Sequence, residues 1–282
     1  MMQVFYTKKE LTAFIAETKS QYKIIGFVPT MGALHIGHLS LIEYSQKSCD
    51  ITIASIFVNP TQFNDKNDLK NYPRNIAQDI EKLGQLSCDV VFVPDENEMY
   101  PEMDNRMFSF DGMDSLMEGE HRPGHFNGVA QIVSKLFALV QPDKAFFGQK
   151  DFQQVAIIKK MVQKMNLPIE IVACPIVREP DGLAMSSRNV LLTPQHREAA
   201  PLIQKTLLLA VESAQTLPLE KIKAWVVEHI NSSEYLKVEY FDIVDENSLT
   251  SLKRFQRGKM QVGCIAVWAG NVRLIDNIVF NL

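Results

Sequence analysis

The sequence predicts an α/β fold, a Rossmann-like, doubly wound parallel sheet followed by a smaller α+β C-terminal domain. Three observations carry that reading. Near-continuous apolar runs recur at Ile24–Val28, Ile51–Val58 and Asp89–Val93, the texture of strands buried on both faces. Amphipathic patterns lie between such runs, and alternation of this kind builds a parallel sheet covered by helices. After Val177 the pattern changes to helices and then strands joined by Gly270-Asn271, a good hairpin turn. The domains are therefore expected at 1–177 and 178–282.

Taken in order, the run Ile24–Val28 leads into Pro29-Thr30-Met31-Gly32 and then into a helical pattern from His38. Ile51–Val58 is the second strand, and Asp89–Val93, closed by Pro94, the third. Val129, Ile132, Val133, Leu136, Phe137 and Val140 form one apolar stripe at helical period. Ala145–Phe147 is a short strand ahead of Gly148. The helix after Asp151 turns Val155, Ile158, Met161, Val162 and Met165 inward, and Ile169–Ala173 follows as a strand. Beyond the polar loop at Arg178–Gly182, Thr193-Pro194 reads as an N-cap with proline at the first helical position. A helix continues from there through Leu202, Ile203, Thr206, Leu207 and Ala210, and a second covers roughly Leu219 to Ile230. The strands Val238–Val244, Val262–Ala269 and Val272–Phe280 complete the chain.

Composition narrows the function classes. The 282 residues are 46% hydrophobic and 22% charged, ordinary for a soluble enzyme with ample core. With a net charge of −4 and no large Lys/Arg cluster, bulk electrostatics do not suggest a nucleic-acid partner. No apolar stretch reaches the ~18 residues that span a bilayer, so no membrane partner is expected. Met1 to Lys8 lacks the features of a signal peptide. Cys49, Cys88, Cys174 and Cys264 are scattered without a Cys-x-x-Cys pair, and read as free thiols in a reducing cytoplasm.

The most informative segment is Met31-Gly32-Ala33-Leu34-His35-Ile36-Gly37-His38, set on a strand-to-helix turn. Free backbone N–H groups and the helix dipole at such a turn attract phosphate. Its two imidazoles, three residues apart, can point the same way. The signature His-x-Gly-His resembles that of the nucleotidyltransferase superfamily, whose chemistry is attack of an oxyanion on a nucleotide α-phosphate.

Further polar segments fall at strand exits. In Phe57–Phe63, Gln62 carries donor and acceptor on one amide, suited to a small hydroxylated ligand. Tyr72-Pro73-Arg74 is a candidate lid, with Arg74 reading as a solvated charge. His125, in His121–Val129, has a catalytic and a structural reading, the structural being the commoner. In Phe147-Gly148-Gln149-Lys150-Asp151-Phe152-Gln153-Gln154, an ammonium sits beside a phosphate position and Gln154 lies one turn beyond it. Met185-Ser186-Ser187-Arg188-Asn189 offers hydroxyls and a guanidinium to triphosphate oxygens.

Together with Arg122–Phe126, these motifs resemble the pantothenate synthetase (pantoate–β-alanine ligase) family in order and spacing from about residue 22 to 193. Leu274-Ile275-Asp276-Asn277 resembles the family's C-terminal strand. Thr61 stands where methionine is frequent and Gln149 where glutamate is frequent, and the 190–270 stretch matches loosely. The resemblance implies ATP-dependent joining of pantoate to β-alanine through a pantoyl adenylate, with release of pyrophosphate and AMP. It implies an ATP site at Met31–His38, Gly148–Asp151, Val177 and Met185–Arg188. His38, His35 and Lys150 are the implied catalytic groups, with His38 a proton donor. Gln62 and Gln154 are implied to bind pantoate, and Gln62 also contacts β-alanine. Mg²⁺ is expected to bridge phosphates with few protein ligands, Asp79 being an outer partner. A homodimer formed through the larger domain is implied as well.

The rival readings are a different nucleotidyltransferase, an RNA-handling relative of the aminoacyl-tRNA synthetases, and a nucleotide-binding module without turnover. The paired glutamines, without extra basic residues, argue against a phosphorylated acceptor. The absence of a basic surface argues against RNA, and the retained histidines and Lys150 against a silent module.

Overall fold

Strands β1 (Gln3–Phe5), β2 (Ile25–Thr30), β3 (Ile51–Ile56), β4 (Val90–Phe92), β5 (Lys144–Gly148) and β6 (Glu170–Cys174) pair in parallel, in the order β1-β4-β3-β2-β5-β6. The computed structural model describes residues 2–281. Five of these strands stand where the apolar runs predict. β1 was not expected, because three residues carry no readable period. It adds beside β4, with Val4 opposite Val91.

Successive strand residues point to opposite faces, and each face has its own cover. Phe27, Ile53, Phe92 and Phe147 face the helix His125–Val140, whose stripe of Val129, Val133, Leu136 and Phe137 is buried against them. Val28, Ala54, Val91 and Phe146 face the helix Ile36–Gln46 through Leu41 and Ile42. The chain winds from β2 through β3 to β4 on one side, then crosses to place β5 on the other side of β2. Strand order therefore reverses between β2 and β5, and ligands of such sheets bind beyond the strand ends at that point.

Strands β7 (Lys237–Asp245), β8 (Gln261–Ala269) and β9 (Val272–Phe280) form the expected antiparallel sheet, with Gly270-Asn271 at its second turn. One face packs on the helices Leu202–Ser213 and Leu219–Asn231. The other joins the larger core through Val244, Val262 and Cys264, so the two sheets share buried surface. The single helix expected after Thr193-Pro194 is two, Pro194–Ala199 and Leu202–Ser213. Pro201 at the break has no N–H with which to continue the first helix. The four cysteines are unpaired. Among the described residues no helix is long and apolar enough to cross a membrane.

Candidate active site

The turn after β2 and the turn after β5 meet at the switch point and open onto a cavity of about 200 Å³. From the first turn Met31, His35, Gly37 and His38 line it. From the second come Gly148, Lys150, Asp151 and, one helical turn later, Gln154. Val177, Met185, Ser186, Ser187 and Arg188 close it from the third side, and Gln62 reaches it from the exit of β3. Gly32, Ala33, Leu34, Ile36, Gln149 and Asp79 are not among its lining residues.

The geometry of the first turn departs from expectation in one respect. The N–H groups of Gly32, Ala33, Leu34, His35 and Gly37 are already partnered within the protein. Gly32 donates to Thr30 Oγ1 at 3.2 Å, and Ala33 and Leu34 donate to the two carboxylate oxygens of Asp79 at 2.8 Å each. Asp79 is 1% exposed and lies beneath the turn, not facing the cavity. It fits a structural anchor, because two amide donors stabilise the charged carboxylate in place. That placement departs from the outer metal-partner role expected of it. Among the described residues no group of three or more His, Cys, Asp or Glu side chains is arranged to hold a metal ion.

The histidines are oriented by the same turn. His35 Nδ1 accepts the Gly37 N–H at 3.1 Å, and His38 Nδ1 lies 3.4 Å from the His35 N–H, so both Nδ1 lone pairs face backbone donors. The rings stand 4.0 Å apart, tilted by 32°. A Cβ on residue 37 would come within 2.9 Å of the His35 ring, so glycine there lets the helix start so close to it. Burial, reinforced by the charge of Lys150, pushes His35 down to about 4. Burial and then His35 itself push His38 down to about 3. Both imidazoles are thus neutral near pH 7, with the proton on Nε2, each a hydrogen-bond donor.

Lys150 Nζ lies 3.1 Å from Asp151. Burial raises the Asp151 carboxyl, but the Lys150 ammonium, aided by Arg188, holds the group below its ordinary value. The Lys150 turn is fixed from a distance. Asn277 on β9 donates through Nδ2 to the carbonyls of Gln149 and Lys150, at 2.8 and 3.0 Å. Gln149, expected at the nucleotide, contributes a carbonyl to this clamp.

Gln62 is 7% exposed and its amide is oriented at both ends. Nε2 lies 3.0 Å from Met31 Sδ, and Oε1 accepts from Asn59 Nδ2 at 3.1 Å. Asn59 also donates to the Gly128 carbonyl and accepts from Tyr100. A Cβ on Gly128 would sit 2.3 Å from the Thr61 carbonyl, so the stripe helix approaches this loop only as glycine. His125 follows its structural reading, with Nδ1 2.8 Å from the Gln62 carbonyl and the ring buried.

The chain as a whole is similar to known proteins. A family model described as pantoate-beta-alanine ligase matches residues 3–279. The chain belongs to the pantoate-beta-alanine ligase family. A pantothenate synthetase from Porphyromonas gingivalis W83 is 52% identical over 279 residues, 99% of each chain. One from Bacteroides fragilis YCH46 is 50% identical over the same share. The crystal structure of pantothenate synthetase from Thermus thermophilus superposes with a TM-score of 0.93 at 38% identity, covering all of both chains. The pantoate-beta-alanine ligase from Francisella tularensis, complexed with β,γ-ATP and β-alanine, has a TM-score of 0.82 at 35% identity, with 99% of this chain and 98% of that one covered.

In this member of the family a second cavity, of about 580 Å³, adjoins the first and shares Lys150, Asp151, Gln154, Ser186 and Arg188 with it. Its walls come from both sheets. Glu118 accepts from both Arg273 Nη atoms at 2.7 and 2.8 Å and from Tyr240 OH at 2.8 Å, so a buried ion pair bridges the large core and β9. Arg188 is paired with Asp68 at 3.1 Å and lies over the Tyr72 ring, whose hydroxyl is 3.5 Å from Ser187 Oγ. Tyr72-Pro73-Arg74 therefore divides. Tyr72 lines the smaller cavity, while exposed Arg74 hydrogen-bonds the carbonyls of Leu69 and Lys70. Asn59, Asp68, Asn277 and the Glu118–Arg273 pair received no site role from the sequence.

Proposed function

We propose that the chain condenses (R)-pantoate with β-alanine through an enzyme-bound pantoyl adenylate, in the pantothenate branch of coenzyme A biosynthesis. A pantoate carboxylate oxygen attacks the α-phosphorus of ATP. The new O–P bond forms as the bond to the β-phosphate bridge breaks, and pyrophosphate leaves with the electron pair. The neutral amine of β-alanine then attacks the acyl carbon. The C–O bond to the phosphate breaks, AMP departs, and the amine loses its proton as the amide forms.

The observation that carries this reading is one cavity lined by two neutral imidazoles, a lysine and two glutamines. A carboxylate needs no protein nucleophile, only in-line positioning and relief of charge building on phosphate. With five of the turn's amides partnered, that relief falls mainly to side chains. His35 and His38 donate from Nε2 to phosphate oxygens, so His38 acts as a hydrogen-bond donor, since burial keeps it from holding an ionisable second proton. Lys150 neutralises the α- and β-phosphates. Ser186, Ser187 and Arg188 hold the pyrophosphate end. Gln62 and Gln154 receive pantoate, Gln62 also bordering β-alanine, and Met31, Gly148, Asp151, Met185 and the Val177 backbone flank the nucleoside. Gly32 to Leu34, Ile36 and Gln149 belong to the ATP site as the frame of its two turns.

Mg²⁺ would come as the Mg·ATP substrate and would supply further relief of phosphate charge, with no cluster of protein ligands among the described residues to hold it. The mixed anhydride hydrolyses readily, so closure against water matters. Residues 178–282 are read as the lid domain and 1–177 as the nucleotide- and pantoate-binding domain. A homodimer through the larger domain and a cytoplasmic location complete the reading.

Pyrophosphate release from Mg·ATP and pantoate tests it. One stoichiometric burst without β-alanine, then turnover with AMP formation once β-alanine is added, is expected. No pyrophosphate under either condition overturns the proposal.

A further inference from the structure

Arg122, in the His121–Val129 segment, has no part in the scheme above, yet it lines the larger cavity beside the proposed catalytic groups. Four Lys and Arg side chains line that cavity, and three have close carboxylate partners. Arg273 is bidentate on Glu118 and also bonds Glu239, Lys150 lies against Asp151, and Arg188 against Asp68. Arg122 differs. Its nearest carboxylate is Glu118, at 3.9 Å, outside hydrogen-bond distance, and the Glu118 oxygens are already taken by Arg273 and Tyr240. Its remaining contacts are neutral: His125 Nε2 at 3.3 Å and the Gln62 carbonyl at 3.5 Å. Burial pushes the guanidinium below its ordinary value, and Arg188 and Arg273 add to this against Glu118 and Asp68. The Arg122 side chain is 25% exposed, and a part-buried guanidinium without a bonded counter-ion offers a ligand carboxylate the pairing that the protein does not supply.

The reaction brings one such ligand. β-Alanine carries a carboxylate two methylenes from its nucleophilic nitrogen, and that carboxylate takes no part in bond making. The geometry points to Arg122 as the residue that binds the β-alanine carboxylate, holding the amine toward the acyl group at the junction of the two cavities. Position supports this. Arg122 touches the backbone of Gln62, whose side chain faces the pantoate cavity, while Gln154 lines both cavities and so marks their junction. Lys150 and Arg188 serve the phosphate side, and Arg273 is held by Glu118 and Glu239. The fork of an arginine suits a planar carboxylate in a way a point-charge ammonium does not.

This assignment rests on the ligase reading, and the experiment separates the two. Wild type, Arg122→Lys and Arg122→Ala are compared in the pyrophosphate burst with pantoate alone, and in turnover with β-alanine and with propylamine, which lacks the carboxylate. The expected result is a KM for β-alanine raised at least about 50-fold in Arg122→Ala and roughly tenfold in Arg122→Lys, with the burst rate falling less than about threefold. Wild type should prefer β-alanine over propylamine by at least about 100-fold in kcat/KM, and Arg122→Ala should lose most of that preference. The propylamine comparison on wild type stands even where Arg122→Ala does not fold. A burst that falls as far as turnover, an unmoved KM for β-alanine, or wild type indifferent to the carboxylate each overturn the assignment. Absence of both burst and turnover in wild type overturns the ligase reading, and this assignment with it.

Discussion

Asp68 Oδ2 lies 3.1 Å from Arg188 Nη2, so the guanidinium read as the pyrophosphate clamp already has a protein carboxylate as partner. ATP phosphate and Asp68 then compete for one cation. A part-exposed ion pair of this kind is worth up to about 1 kcal/mol, or about fivefold in affinity. Asp68→Asn should therefore lower the KM for ATP by about two- to fivefold, read from initial rates at saturating pantoate and β-alanine. A raised KM would mean that Asp68 helps to bind nucleotide.

Asp79 should behave as scaffold. In Asp79→Asn one amide donor of the Ala33–Leu34 pair would face an NH₂ group in place of an acceptor. The expected cost is about 1–3 kcal/mol of stability, seen as a lower Tm, with kcat reduced about tenfold as the histidine turn loosens. The half-saturating Mg²⁺ concentration should not move, whereas a metal partner would shift it.

The histidines set a pH dependence with a definite sign. His35, His38 and His125 titrate at about 4, 3 and 4 in the folded chain, below the ordinary value near 6.5. Between these limits the unfolded chain binds more protons, so stability rises with pH through that window and falls as pH drops from about 6.5 toward 4. Chemical denaturation at a series of pH values measures the slope. The pyrophosphate burst should show no titration between pH 6 and 8 from these imidazoles, and a histidine pKa near 6.5 in NMR titration of either ring would contradict the account.

Lys150 and His38 carry the charge relief proposed for the first half-reaction. His38→Ala and Lys150→Ala should each slow the burst by roughly 10²–10³-fold, the scale for losing one donor to a developing anion. Asn277→Ala should act through Lys150, lowering kcat/KM for ATP about tenfold while leaving the KM for β-alanine in place. Equal effects on all three substrates would instead indicate general loss of the fold.

Much of the frame was legible in the sequence. The strand runs and the amphipathic stripe placed β2 to β6 and the helix before β5, because each follows a local period that one segment displays by itself, whereas the strand order that sets the switch point between β2 and β5 leaves no such period. The signatures at His35–His38 and Gly148–Gln154 sit at strand exits, and with Met185–Arg188, from the loop beyond β6, they converge on one cavity. What the sequence hid are partnerships across distance. Asp79 is 46 residues from Ala33, and Asn277 is 128 from Gln149, so neither leaves a local pattern. One signal for Asp79 was present: it is buried with Leu83, four residues on, along one face of the helix Ile76–Gln85. A carboxylate on that face must find donors inside. The break at Pro201 was equally visible, as a proline inside an expected helix.

The central claim is that the pantoate carboxylate itself attacks the α-phosphorus. Pantoate labelled with ¹⁸O in both carboxylate oxygens tests it most directly, with AMP and pantothenate analysed by mass spectrometry after turnover with β-alanine. One ¹⁸O is expected in the AMP phosphate and one in the new amide carbonyl. Unlabelled AMP, or label in inorganic phosphate with ADP as the nucleotide product, would contradict it.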